Sequence, residues 1–116
     1  MKTLIIDDDG LSIRNEILKK MAVAEGASSM DFALSSSEAI QKLTENSYDL
    51  VFFDHDLGGN DTSMKVIDFF LEENQMRLTK AVVHTANPAG ANKLCLALDR
   101  IADKVRKYSI LSFGVK

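Results

Sequence analysis

Short apolar runs alternate along this chain with longer stretches in which apolar residues recur every three or four positions. Leu4-Ile5-Ile6, Leu50-Val51-Phe52-Phe53 and Ala81-Val82-Val83 are the clearest short runs. Runs of this length, rich in β-branched and aromatic residues, predict strands, whereas the 3.6-residue period predicts helices. The pattern predicts strands at residues 2–6, about 30–34, 49–53 and 80–84, and a fifth within 105–113. A first helix runs from about residue 11 into the twenties, with Leu11, Leu18 and Met21 on one stripe and Ile17 beside it. Asp9 or Gly10 starts it and Gly26 stops it. Ser35 and Glu38, three apart, form a capping box for a helix carrying Ala39, Ile40 and Leu43 and ending near Asn46. Asp61 or Thr62 caps a third helix with Met64, Ile67, Phe70 and Leu71. Asn87-Pro88 breaks the chain, and 89–101 reads as a helix through Leu94, Leu98 and Ile101.

Strands alternating with helices imply a parallel sheet joined by right-handed crossovers. The third run is apolar at every position, as a central strand covered on both faces must be. Open sheets of this kind bind ligands outside the carboxyl ends of their strands, where the strand order reverses. Three of the runs stop there on ionisable residues. The first ends in Asp7-Asp8-Asp9, the third in Asp54-His55-Asp56, and the fourth in His84, the only other histidine of the chain. One polar site on the rim of the sheet is the simplest reading.

Composition narrows the classes without naming one. The 116 residues suit a single domain, 1–116, with 46% apolar and 27% charged residues. A net charge of -3 and a pI near 5.3 argue against a general DNA binder. Lys104, Arg106 and Lys107 make one small basic run, read as a solvated face. No stretch approaches a membrane span, and the N-terminus does not read as a signal peptide. The lone Cys95 excludes an intrachain disulfide, so a cytoplasmic location is the default, and its place between Leu94 and Leu96 makes it core filler.

If the first and third strands are neighbours, Asp7, Asp8 and Asp54 converge. Carboxylates at close range repel unless a positive charge sits among them, and hard divalent cations prefer oxygen ligands. Mg2+ (or Mn2+) therefore accounts for the cluster. The plainer alternative is that Asp8 and Asp9 only cap the first helix and complement its dipole.

With these acids in place, the chain resembles the response-regulator receiver domain, over nearly its whole length up to the fifth strand. The resemblance implies a flavodoxin-like α/β fold, a five-stranded sheet in the order 2-1-3-4-5 with helices on both faces. It makes Asp7 and Asp8 the paired acids after the first strand and Asp54 the phospho-acceptor and nucleophile. It gives Asp56 the backbone carbonyl that completes the metal shell, and Thr85, followed by Ala86, the hydroxyl that meets the phosphoryl group. The chain departs from the pattern in having no Lys-Pro at the fifth strand, and little sequence remains for a last helix. The acidic site is thus implied more strongly than the lysine-dependent switch. A missing last helix would leave part of one sheet face open to a protein partner or a second copy.

A narrower resemblance rests on two motifs together. D-H-D-L-G (Asp54 to Gly58) followed by Asp61-Thr62, and H-T-A-N-P-A-G (His84 to Gly90), look like the cyclic-phosphate-processing receiver family. That resemblance implies a ligand carrying a cyclic or terminal phosphate, on a nucleotide or an RNA end. Opening a cyclic phosphate requires charge stabilisation, a base and an acid. His55 and His84 would divide the last two roles near neutral pH. Asn87 and the N–H groups after Pro88 would hold phosphate oxygens, with Gly58 and Gly59 allowing close backbone approach. Side chains alternate along a strand, so Asp54 and His55 should face opposite ways, leaving His55 to orient the loop if it faces away. Three readings stay open: a metal-dependent phosphoesterase or binder, a receiver phosphorylated on Asp54, and a silent receiver-like interaction module.

Overall fold

The computed structural model describes residues 1–8, 13–74, 78–84 and 88–107, with the backbone alone at 13–15, 73 and 74. Among these residues, the strands are β1 (Lys2–Ile6), β2 (Ser29–Ala33), β3 (Leu50–Phe53), β4 (Leu78–Val83) and β5 (Ala102–Lys107). All neighbours are parallel, in the order β2-β1-β3-β4-β5. The helices are α1 (Ile13–Ala24), α2 (Ser36–Glu45), α3 (Met64–Phe69), which continues into a π-helical turn over Phe70–Asn74, and α4 (Pro88–Leu98). This is the flavodoxin-like receiver arrangement expected from the sequence. None of these helices is long and apolar enough to cross a membrane.

Alternation along the central strands sends neighbouring side chains to opposite faces. Leu4, Ile6, Val51 and Phe53 pack with residues of α2, α3 and α4. Ile5, Leu50, Phe52 and Val82 pack with Ile17, Leu18 and Met21 of α1. Two apolar layers on one sheet explain why β3 reads as an unbroken apolar run. On α3 the expected stripe holds, with Ile67 and Phe70 buried and Met64 and Leu71 partly so. Gly26 ends α1 at a φ of 104°, a left-handed conformation that costs glycine little.

The capping box at α2 forms, with a variation. Ser35 Oγ accepts from the Glu38 N–H at 3.1 Å, while the Glu38 carboxylate reaches back to the N–H of Leu34, one residue before the cap, at 2.9 Å. Asp61 does not cap the third helix. Its carboxylate crosses to α2, accepting from the Ser36 N–H at 2.8 Å and the Ser36 hydroxyl at 2.5 Å. Ser63 holds the N-cap position of α3, and its hydroxyl donates to the carbonyl of Asp54.

β5 begins earlier than the apolar pattern suggests. Only Ala102 and Val105 turn to the core, while Asp103, Lys104, Arg106 and Lys107 are exposed. A charged edge strand hides from hydrophobic periodicity because charge is how such strands resist further pairing. The basic run also splits. Lys104 and Arg106 lie beside Lys80 and Val82 and so share the α1 face, whereas Lys107 lies on the other. Arg106 and Lys80 both reach the buried Glu25 at the end of α1. Residues 108–116, on which the expectation of a missing last helix falls, lie outside those described.

Candidate metal and phosphate site

The sheet order reverses between β1 and β3, and the acids follow these two strands. The parallel ladder continues one residue past the strand ends. Asp7 N–H donates to the Ala33 carbonyl at 3.0 Å, Asp54 N–H to that of Ile6 at 3.1 Å, and His84 N–H to that of Phe53 at 3.1 Å. The backbone of all three residues is therefore fixed by the sheet rather than by loops.

Carboxylate oxygens of Asp7, Asp8 and Asp54 all lie within 4.8 Å of one another. Asp7 and Asp54 are 3% and 4% exposed, while Asp8 faces solvent. An all-oxygen set with one open side is the donor chemistry Mg2+ and Mn2+ favour, and it leaves room for waters and a ligand oxygen. Gly58, at a φ of 89°, lies close to this rim: a Cβ there would sit 3.4 Å from Asp8 Oδ2. The residues present therefore fit a divalent cation.

Asp56 contributes differently. Its carboxylate is not part of the acidic cluster. It pairs with His55 Nδ1 at 3.0 Å, which leaves the backbone carbonyl as the ligand expected of it. Because a carboxylate only accepts, Nδ1 carries the proton in that bond.

Asp54 and His55 diverge as strand alternation requires. His55 turns to the face that carries α4 and lies against Gly90 in that helix's first turn. A Cβ at residue 90 would fall 2.5 Å from His55 Cγ, 2.8 Å from Nδ1 and 2.9 Å from Cβ. Glycine inside a helix costs about 1 kcal/mol relative to alanine, so its presence at residue 90 has a steric reason. Nothing in the sequence pairs these two residues except their membership of the two motifs.

His84 takes the opposite face. It is fully buried, its ring centroid 6.0 Å from that of Phe52 and its Nδ1 3.7 Å from Asp7 Oδ2. The loop after β3 is braced on its far side. Leu57 N–H donates to the Asp61 carbonyl at 2.9 Å, and Asp61 N–H to that of Gly58 at 3.0 Å. Burial alone would raise the Asp61 pKa, but the Ser36 hydroxyl and N–H and the Lys65 ammonium outweigh it and hold the carboxyl below its ordinary value. Asp61 is thus a structural anchor between Ser36 of α2 and Lys65 of α3, while the N-cap position expected of Asp61 or Thr62 falls to Ser63. Thr85 and Asn87, expected to meet the phosphate, lie outside the described residues.

A five-stranded sheet in this order with paired acids at its switch point defines the receiver class of response regulators. Within that class, residues 2–100 match the cyclic-phosphate processing receiver domain, and the chain belongs to that family. The sensory transduction protein LytR of Staphylococcus haemolyticus (strain JCSC1435) is 39% identical over 69 residues, which span 57% of this chain and 27% of that protein. The response regulator TrrA of Thermotoga maritima, in complex with Mg2+–BeF, aligns at a TM-score of 0.65 and 25% identity, over 93% of this chain and 86% of that one. A two-component response regulator from Clostridium difficile aligns at 0.61 and 26%, over 90% and 80%. A regulator from Cytophaga hutchinsonii aligns at 0.67 with 17% identity, over 92% and 84%, a likeness of fold alone.

Proposed function

We propose that Asp7, Asp8 and Asp54, with the Asp56 carbonyl, hold Mg2+ or Mn2+, and that a cyclic or terminal phosphate of a nucleotide or RNA end binds beside them. The convergence of three carboxylates within 4.8 Å, two of them buried, carries this reading, because such a cluster calls for positive charge. The cation would supply charge neutralisation for the phosphate oxygens. The chain's own residues do the rest. Thr85, Asn87 and the opening N–H groups of α4 orient the phosphate, and Gly58 and Gly59 let the backbone come close. His55, its ring held by Asp56 and seated against Gly90, orients the loop at the margin of the site. His84, enclosed beside Asp7, acts through that carboxylate. If the bound phosphate is cyclic, the step that fits is hydrolysis: water adds to phosphorus and gives up a proton, one ring P–O bond breaks, and the leaving oxygen takes a proton.

Incubation with 2′,3′-cyclic nucleotides and Mg2+ or Mn2+ tests this. Turnover or tight binding that disappears in Asp54→Asn supports it. Neither binding nor turnover with any of them sinks it.

A second reading, a receiver phosphorylated on Asp54, is favoured by the burial of that carboxylate within the cluster and by the Mg2+–BeF complex of the Thermotoga relative. Intact mass after treatment with acetyl phosphate and Mg2+ separates the two. A phosphoryl adduct absent from Asp54→Asn supports the second. A protein partner or a second copy is also part of the proposal, as the readout of either state.

A further inference from the structure

We propose that His55 is a positioning residue: through its contact with Gly90 it sets where helix α4 begins relative to the acidic rim. Cation binding is then independent of His55, while recognition of the phosphate is not. The proposal rests on the reading that the phosphate lies between that rim and the opening of α4.

Three observations support it. First, the His55 side chain is only 14% exposed, and a single methyl group on residue 90 would collide with its ring and its Cβ. A contact that includes the Cβ cannot be relieved by swinging the ring away, so helix and loop must be spaced together. Second, the backbone that bears His55 is clamped from elsewhere. Asp54 N–H is held by Ile6, the His55 carbonyl accepts from Ser63 N–H at 3.0 Å, and Ser63 Oγ donates to the Asp54 carbonyl. Removing the His55 side chain therefore leaves the Asp54 carboxylate in place. Third, the imidazole pairs with Asp56, which holds the ring in one orientation against the helix. The ring then acts as a spacer between β3 and α4, and Gly90 is the notch that receives it.

The experiment compares wild type, His55→Ala, His55→Phe, Gly90→Ala and the double variant His55→Ala/Gly90→Ala. Mg2+ affinity is measured by calorimetry, beryllofluoride with Mg2+ serves as the phosphoryl probe, and melting temperature reports the packing. His55→Ala is expected to bind Mg2+ within about twofold of wild type, because the Asp54 backbone is held by Ile6 and Ser63 and the imidazole reaches the Asp56 carboxylate rather than its carbonyl. It is expected to lose about tenfold or more in beryllofluoride affinity, because small misplacements of binding groups are costly. His55→Phe, which keeps the bulk and loses the proton chemistry, is expected to restore most of that affinity. Gly90→Ala is expected to lower the melting temperature in the wild-type background and to raise it in His55→Ala.

Beryllofluoride affinity unchanged in His55→Ala, or not restored by phenylalanine, overturns the proposal and leaves the site reading intact. A destabilisation by Gly90→Ala that persists in His55→Ala removes the contact on which it stands. Absence of any Mg2+-dependent beryllofluoride binding by the wild-type protein overturns the proposal, while the cyclic-phosphate reading is decided separately by the cyclic-nucleotide assay.

Discussion

His84 Nδ1 lies 3.7 Å from Asp7 Oδ2, and both side chains are closed off from solvent. A buried acid is tolerable only among polar neighbours. His84→Ala should therefore remove both packing volume and a polar neighbour of Asp7. The expected loss is about 2–4 kcal/mol in urea unfolding, at the scale of large-to-small core substitutions. His84→Gln, which keeps a polar group there, should lose clearly less.

The three carboxylates oppose one another in the absence of a cation. Asp54→Asn should raise the stability of the cation-free protein and abolish its response to Mg2+. Wild type at a Mg2+ concentration 100 times its dissociation constant should gain about 2.7 kcal/mol. Melting curves of both proteins across a Mg2+ titration check this. A stabilised Asp54→Asn would mark the site as one that gives up stability for function.

Asp61 ties the β3–α3 loop to the start of α2. Asp61→Ala leaves the Ser36 N–H and hydroxyl without their acceptor, at a cost of about 1–3 kcal/mol near neutral pH. The carboxyl's pKa is lowered in the folded state from an ordinary 3.8. Its stabilisation is thus complete above the unfolded value and fades as pH falls through the depressed folded one. Wild type and Asp61→Ala should converge in stability in that acid range, as followed by denaturant titration at a series of pH values.

Glu25 is buried between the amino group of Lys80 and the guanidinium of Arg106. Glu25→Ala would leave the mostly buried Lys80 uncompensated and should cost about 3–5 kcal/mol. Arg106, its side chain 56% exposed, is an outer member, so Arg106→Ala should cost no more than about 1 kcal/mol. Chemical denaturation of the two variants gives the ratio directly.

Much of this fold is local and so was readable. β1 and β3 were marked by unbroken apolar runs, and the start of α2 by Ser35 and Glu38. The divergence of Asp54 and His55 followed from alternation alone. β5 starts before the apolar pattern marks it, because its charges mask its period. Asp61, like Thr62, reads as a cap of the helix that follows it, because its hydrogen-bond partner Ser36 is 25 residues away. The site was legible as chemistry at three strand ends, and the structure adds who faces whom. That His55 needs a glycine at residue 90 depends on two elements meeting in space, and no spacing rule expresses it.

The backbone hydrogen bonds that carry the ladder past β1, β3 and β4 have a kinetic consequence. The backbone of Asp7 and Asp54 is held as soon as the sheet exists, so on the proposed reading an arriving ion would find these two donors in place without a movement of the main chain. Mg2+ gives up its waters reluctantly. The slow event in loading this rim should therefore be loss of water from the ion rather than rearrangement of the chain. Mn2+, which exchanges water faster, should enter correspondingly sooner.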